Sequence, residues 1–419
     1  MKKMMLLILS GVSAMVLTGC GVETPDAEGW RPAQKEEFLE ILETDKYASI
    51  CNQQALYEKV KESKNSKLMS KLLVSYAKNL ANGCIDLESF NASQEERVEQ
   101  KIATYYETYL QDVKASDIMR QLKAGQSIEE ILKPYVPEYV QFFDLQKRYR
   151  LLGGDKNTSK KTLRKIRLNL ERLKLMKPGL GDNYALINIP EYTVRVIDTN
   201  GTAMAMSVVV GQRKMQTPVF SADLSYVTLN PQWGVPDSIA RNEVIPKLLK
   251  DPNYLVSHNM VIRKSYDLNT PEVSQDSVDW EDYLVKEQNL TEMTYKFIEV
   301  PSKKNGLGRV KFIFPNKHSV YMHDTQSKHL FKRKVRTYSH GCVRLEKPVA
   351  MLEHISKNYT NKSNEEVKEW YDSLETHHMS LTKKLPVHTA YLTTYVDECG
   401  ELLVFNDIYG FDKSQRLNF

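Results

Sequence analysis

Val320-Tyr321-Met322-His323 and, after a spacer of fifteen residues, Ser339-His340-Gly341-Cys342-Val343-Arg344 are the two stretches on which the reading of this 419-residue chain turns. The first alternates apolar and polar, so it predicts the end of a β-strand with His323 at its tip. The residues between, 324–338, are polar and basic and predict a surface loop that returns the chain to Ser339. A thiol on a loop beside two histidines suits nucleophilic catalysis, which needs a base, backbone donors for an oxyanion and an open approach. Either His323 or His340 can be the base on this reading, and the glycine before Cys342 lets a substrate carbonyl come close to the backbone. Free cysteine is more often a small buried apolar residue, but no apolar run encloses Cys342. A zinc site built from the thiol and both histidines lacks an evident fourth ligand, and the chain has neither Cys-x-x-Cys nor His-Glu-x-x-His.

With these residues goes a wider set: Gly211 with Gln216-Thr217-Pro218, Trp233-Gly234-Val235-Pro236, Asn305-Gly306-Leu307-Gly308, Lys311-Phe312 and Phe314-Pro315-Asn316. Together they resemble the L,D-transpeptidase (YkuD) family, in its large YcbB-like branch of Gram-negative lipid-anchored or periplasmic enzymes, over roughly Leu163 to Gly410. The resemblance implies a cysteine acyltransferase acting on peptidoglycan stem peptides, with Cys342 as nucleophile and His323 as base. It puts His340 near the oxyanion site and Arg344 where it can meet a substrate carboxylate. Carbapenems are implied as inhibitors, and no metal or nucleotide cofactor is implied. The natural oxyanion donors are the N–H groups of Gly341 and Cys342, with the Tyr321 hydroxyl and Ser339 in support. No carboxylate is evident to orient His323, since Asp324 follows it directly and points to the opposite face of an extended chain. A backbone carbonyl can fix the tautomer instead.

The same resemblance leaves the acceptor open. A second diaminopimelate amine gives a 3→3 cross-link, water gives an L,D-carboxypeptidase, and a lysine gives attachment of an envelope lipoprotein. Outside enzymes, a degenerate peptidoglycan-binding lipoprotein is the alternative, and the joint presence of His323, Gly341 and Cys342 speaks against it. The cluster Lys328, Lys332, Arg333, Lys334 and Arg336 is either a solvated loop or a site of capture for an acidic peptide.

Lys2 and Lys3 precede an apolar run from Met4 to Leu17, too short for a permanent span. Leu17-Thr18-Gly19-Cys20 has the form of a lipobox. Residues 1–19 are thus expected to be a lipoprotein signal peptide, with Cys20 lipidated and the protein anchored in the cell envelope facing the periplasm. Gly21 gives no reason for retention in an inner membrane, so the outer membrane is preferred. An oxidising compartment makes a Cys51–Cys84 disulfide reasonable, and Cys399 has no assigned role. A formal charge of +5, without a basic stripe, gives no ground for nucleic-acid binding.

Along the chain, residues 20–34 suggest a flexible tether and 35–177 a helical scaffold. Leu68, Leu72, Tyr76 and Leu80 make one apolar stripe. Ser93-x-x-Glu96 and Ser127-x-x-Glu130 suggest capping boxes. The basic segment from Thr162 to Met176 suggests an amphipathic helix with a solvated face packed on a neighbouring domain, rather than one lying on a membrane. From 178 to 419 the period becomes two, with a hairpin at Asn200-Gly201. Residues 238–304 interrupt it as a helical cap or lid, or as a plain excursion over a sheet edge. The expected class is α+β, an all-helical N-terminal scaffold followed by a mixed, β-rich catalytic domain with that cap insertion.

Overall fold

The computed structural model describes residues 24–179, 181–286 and 292–419. The expected signal peptide and Cys20 lie outside them. Eight α-helices come first among the described residues: α1 (Pro32–Glu43), α2 (Gln54–Ser63), α3 (Ser66–Asn82), α4 (Leu87–Glu99), α5 (Ala115–Ala124), α6 (Ile128–Leu132), α7 (Val140–Gly153) and α8 (Lys160–Lys174). The stripe of α3 is buried at Leu72, Tyr76 and Leu80. Ser127 caps α6 reciprocally with Glu130.

Four expectations for this half need correction. The tether is not free over its described part: Trp30 is fully buried, stacks on Phe38 and bonds Ser70 Oγ at 2.9 Å. Ser93 lies inside α4, because Asp86 caps that helix seven residues earlier. Residues 101–114 are not helical. Ala103 and Tyr106 bridge to Met215 and Val219 as an extended strap. The basic face of α8 is not solvated either: Arg167, Arg172 and Lys174 are buried, because carboxylates on other elements and on the helix itself meet them.

The strands are β1 (Tyr184–Asn188), β2 (Thr193–Asp198), β3 (Gly201–Gly211), β4 (Phe220–Leu229), β5 (Trp233–Gly234), β6 (Met260–Arg263), β7 (Lys296–Glu299), β8 (Val310–Ile313), β9 (Met322–His323), β10 (Thr337–Ser339), β11 (Val343–Leu345), β12 (His377–Ala390), β13 (Thr394–Val396) and β14 (Leu402–Val404). Nine form one sheet in the order β10-β3-β11-β9-β8-β4-β12-β1-β2, and β3 also pairs with β2, so the pairings close on themselves. Asp198 faces Gly201 across the expected hairpin, where φ of +111° suits glycine.

β1 shows how the two halves join. All five of its residues are buried. Tyr184 and Leu186 enter the core of the helical layer, while Ala185 and Ile187 enter the core of the sheet. A strand covered on both faces reads as a continuous apolar run, as this one does. The excursion between β5 and β8 has its own three-stranded sheet, β5-β7-β6, and its own core around Val244, Ile262, Trp280 and Phe297. No helix among the described residues is long and apolar enough to cross a membrane.

Candidate active site

β9 and β11 lie side by side and parallel, with Val343 opposite Met322 and Arg344 opposite His323. This register brings the two sequence stretches together. Cys342, just before β11, lies beside Tyr321, just before β9. Gly341 takes a φ of +118°, which favours glycine, to turn the chain from β10 into β11. Cys342, His323, Tyr321, Ser339, His340 and Arg344 all line one cleft of about 1090 Å³ between the sheet and the excursion.

His323 is 5% exposed, and its Nδ1 lies 2.5 Å from the carbonyl oxygen of Asp324. A carbonyl only accepts, so Nδ1 carries the proton and Nε2 is the basic nitrogen. The Asp324 side chain is occupied elsewhere, taking the N–H groups of Arg309 and Thr325 and the Lys328 ammonium. Burial, and then the charge of Arg344, push the His323 pKa down to about 3, against the carbonyls of Asp324 and Leu307. The imidazole is therefore neutral near pH 7.

The Cys342 thiol donates to the Ser319 carbonyl at 3.8 Å. Burial pushes its pKa up; the Tyr321 N–H, the Lys311 ammonium, the Tyr321 hydroxyl and Arg344 each pull the other way. Thiol and imidazole are thus both uncharged at rest near pH 7. Burial, and after it the nearby Cys342, raises the Tyr321 phenol, which keeps that hydroxyl a donor. Burial lowers Arg344 and Lys311, and Lys311 Nζ lies 4.0 Å from the centre of the Tyr321 ring. Arg344 Nε is buried without a hydrogen-bond partner in the described residues, which leaves the guanidinium suited to an incoming anion.

The oxyanion reading changes in one respect. The Gly341 N–H donates to Ser339 Oγ at 3.2 Å, and that hydroxyl donates to the Cys342 carbonyl at 2.5 Å. Ser339 therefore folds the nucleophile turn and occupies the Gly341 N–H, which is not free for substrate. The Cys342 N–H has no acceptor among the described residues, so it and the Tyr321 hydroxyl are the donors left. His340 Nε2 lies 2.7 Å from Glu243 Oε1, on a π turn of the excursion, Ala240–Val244. That contact makes His340 a tie between the nucleophile loop and the excursion.

Of the basic loop, Lys328 pairs with Asp324, and Arg336 donates to the carbonyls of Val208, Arg333 and Tyr192. These two brace the fold, while Lys332, Arg333 and Lys334 are exposed. The sulfurs of Cys51 and Cys84 are bonded, with their Cα atoms 6.2 Å apart. Both are remote in the fold from the cleft and lie beside Glu171. Cys399 is free and exposed at the turn between β13 and β14.

Several residues at the site gave no signal as site residues in the sequence. Thr217 Oγ1 accepts from the Gly211 N–H at 2.8 Å and donates to the Gly341 carbonyl at 2.8 Å. Tyr409 supports the same turn, accepting from the Thr217 N–H and donating to the Gly211 carbonyl. A Cβ on Gly211 would lie 2.2 Å from the Met215 carbonyl, so the turn admits only glycine there. Lys311, Glu243 and Glu299 also line the cleft. The motifs around Gly211, Thr217 and Lys311 were visible, but their contact with the thiol depends on strand order.

The YkuD family profile, described as an L,D-transpeptidase catalytic domain, matches residues 182–368. A Haemophilus influenzae protein named "Putative L,D-transpeptidase" is 30% identical over 255 residues, which are 60% of this chain and 49% of that protein. The chain thus spans about half the length of this curated relative. Among solved structures, an L,D-transpeptidase from Mycobacterium smegmatis matches at 12% identity, covering 50% of this chain and 58% of that one, with a TM-score of 0.22. L,D-transpeptidase 1 of Mycobacterium tuberculosis matches at 12%, covering 50% and 61%, with a TM-score of 0.19. The Ldtfm-avibactam carbamoyl enzyme matches at 10%, covering 71% and 98%, with a TM-score of 0.22. The assignment rests on the sequence matches and not on these superpositions. Residues 182–368 thus match a YkuD-type L,D-transpeptidase catalytic domain.

Proposed function

We propose that the protein is a peptidoglycan L,D-transpeptidase anchored by lipid at Cys20 in the cell envelope and facing the periplasm. The observation that carries the reading is a cysteine thiol and an imidazole in one cleft, with Nδ1 of the imidazole held by a main-chain carbonyl. The substrate is the tetrapeptide stem. His323 Nε2 takes the thiol proton as Cys342 attacks the carbonyl between diaminopimelate and the terminal D-Ala. The Cys342 N–H and the Tyr321 hydroxyl receive the oxyanion. His323 passes its proton to the leaving amine, D-Ala departs, and a thioester remains. The side-chain amine of a second diaminopimelate then attacks the thioester and forms a 3→3 cross-link. Arg344 and Lys311 supply positive charge beside the sulfur and for a stem carboxylate. Carbapenems acylate the same thiol.

The test is Cys342→Ala. It should abolish product from defined stem peptides and the carbapenem mass adduct while moving the melting temperature little. Persistence of either reaction would remove Cys342 from the role of nucleophile.

A further inference from the structure

Glu299 ends β7 opposite Trp233 of β5. It is 4% exposed and lines the same cleft as Cys342. Both of its oxygens lie 3.0 Å from one donor, the Gly306 N–H. No lysine, arginine or histidine among the described residues forms an ion pair with it, although Lys304 lies exposed on the wall of the same cleft. A carboxylate offers about four lone-pair positions, so one shared N–H leaves most of its capacity open. Such a group is costly to bury without a cation.

Its position is informative. Glu299 grips Gly306, and the carbonyl of the next residue, Leu307, is one of the two that reach the His323 ring. Glu299 therefore sits one peptide from the catalytic imidazole. The carboxyl packs against Gly306, where a Cβ would lie 3.1 Å from Glu299 Oε2 and 3.2 Å from the Trp233 ring. The other carboxylate in the cleft, Glu243, is taken by His340. Around the sulfur the fixed charges are positive, Lys311 and Arg344. Charge in the cleft is thus divided, cationic at the thiol and anionic toward β5 and β7.

We propose that Glu299 and Trp233 form the subsite for the acceptor, a primary ammonium on an aliphatic stem. This rests on the transpeptidase reading above. The carboxylate of Glu299 receives the ammonium and takes one proton from it, while the indole covers the methylene stem and the charge. The freed amine attacks the thioester carbonyl, and a C–N bond forms. The C–S bond breaks as the tetrahedral species collapses, and the second amine proton passes by way of His323 to the leaving sulfur. Glu299 then releases its proton to water. Burial, opposed by the Gly306 N–H, raises the Glu299 pKa to about 7, which suits a group that must both take and release a proton near neutrality.

The experiment follows the thioester formed from a donor stem and reads its partition between an alkyl-ammonium acceptor and water by mass. Glu299→Gln keeps an acceptor for the Gly306 N–H but cannot ionise. The amine-to-water partition, which is decided only after the thioester exists, should fall about tenfold. Hydroxylamine, uncharged at neutral pH, should capture the variant's thioester as well as the wild type's. An unchanged partition, or an equal loss with hydroxylamine, would reduce Glu299 to a prop for the Gly306 turn and overturn the proposal. If Glu299→Gln does not fold, the wild type still decides: capture should saturate with alkyl-ammonium concentration, and strict linearity would mean there is no subsite. A wild type that forms no thioester would defeat the transpeptidase reading itself, and the subsite with it.

Discussion

Thr217 lies behind Cys342, off the wall of the cleft, yet braces the turn that holds it. One buried hydroxyl ties the Gly211 N–H to the Gly341 carbonyl, and Gly341 directly precedes Cys342. Thr217→Val keeps the shape and strands both groups, at a cost of about 1–3 kcal/mol. Urea unfolding should show that loss. Carbapenem acylation of Cys342 should slow about tenfold, and Thr217→Ser should restore both. Cys342, the two histidines and their order stood out because these residue types at this spacing make little sense as core. The sequence alone did not separate the two histidines; in the structure His340 meets Glu243, and His323 Nδ1 meets the Asp324 carbonyl. The engagement of the Gly341 N–H was hidden too, since Ser339 could have pointed anywhere from a loop.

α8 is the element where residue chemistry and environment disagree most. Its Arg167, Arg172 and Lys174 have the composition of a wetted surface, yet the helix runs through the middle of the molecule. Glu171, fully buried, accepts from Arg167 Nε at 2.7 Å, Lys174 Nζ at 3.1 Å and the Cys84 N–H at 2.8 Å. Arg172 is met by Asp412 at 2.8 Å and by Gln415. Burial, against the attraction of Glu171, lowers Lys174 to about 8. Removing one member of such a network leaves unpaired charge in the interior, so Glu171→Ala should cost about 3–5 kcal/mol in urea unfolding. The exposed Lys160→Ala on the same helix should stay within about 0.5 kcal/mol. Sequence periodicity found α8 but could not find its distant partners, Ala48 and Cys84 well before it and Asp412 and Gln415 more than two hundred residues after it. β12 was half seen for a related reason: its second part, from Val387, alternates, while Ser380 to Lys384 is mostly exposed and carries no pattern. The Asn200-Gly201 hairpin needed no distant partner, and its strands emerged where expected.

At the scale of the molecule, two buried imidazoles and one buried carboxyl bear on stability in acid. Burial lowers His323 and His388 to about 3, with the charge of Arg344 assisting at the first and that of Lys177 at the second. The unfolded chain binds these protons near pH 6.5 and the folded one does not, so their contribution falls as pH drops from about 6.5 toward 3. Glu299, raised to about 7, acts oppositely and favours the folded state as pH falls from 7 to its ordinary value. Between pH 7 and 5 the two histidines remove on the order of 4 kcal/mol and Glu299 returns on the order of 2, a net loss of about 2 kcal/mol. Urea midpoints should fall over this interval, and fall more steeply in Glu299→Gln; a flat profile would contradict the burial of both imidazoles. The strap from Ala103 to Glu107 runs beside residues 215–219, so the helical half also frames the turn that Thr217 braces. β1, for its part, waits for β12: Ala185 pairs with Val387 across the whole intervening stretch. Loop closure of that length is slow, and until Val387 docks the ring of pairings through β12 and β1 stays open. Folding chains therefore pass through an interval in which β1 offers an unpaired apolar edge, and chaperone demand should concentrate on that late stage of folding.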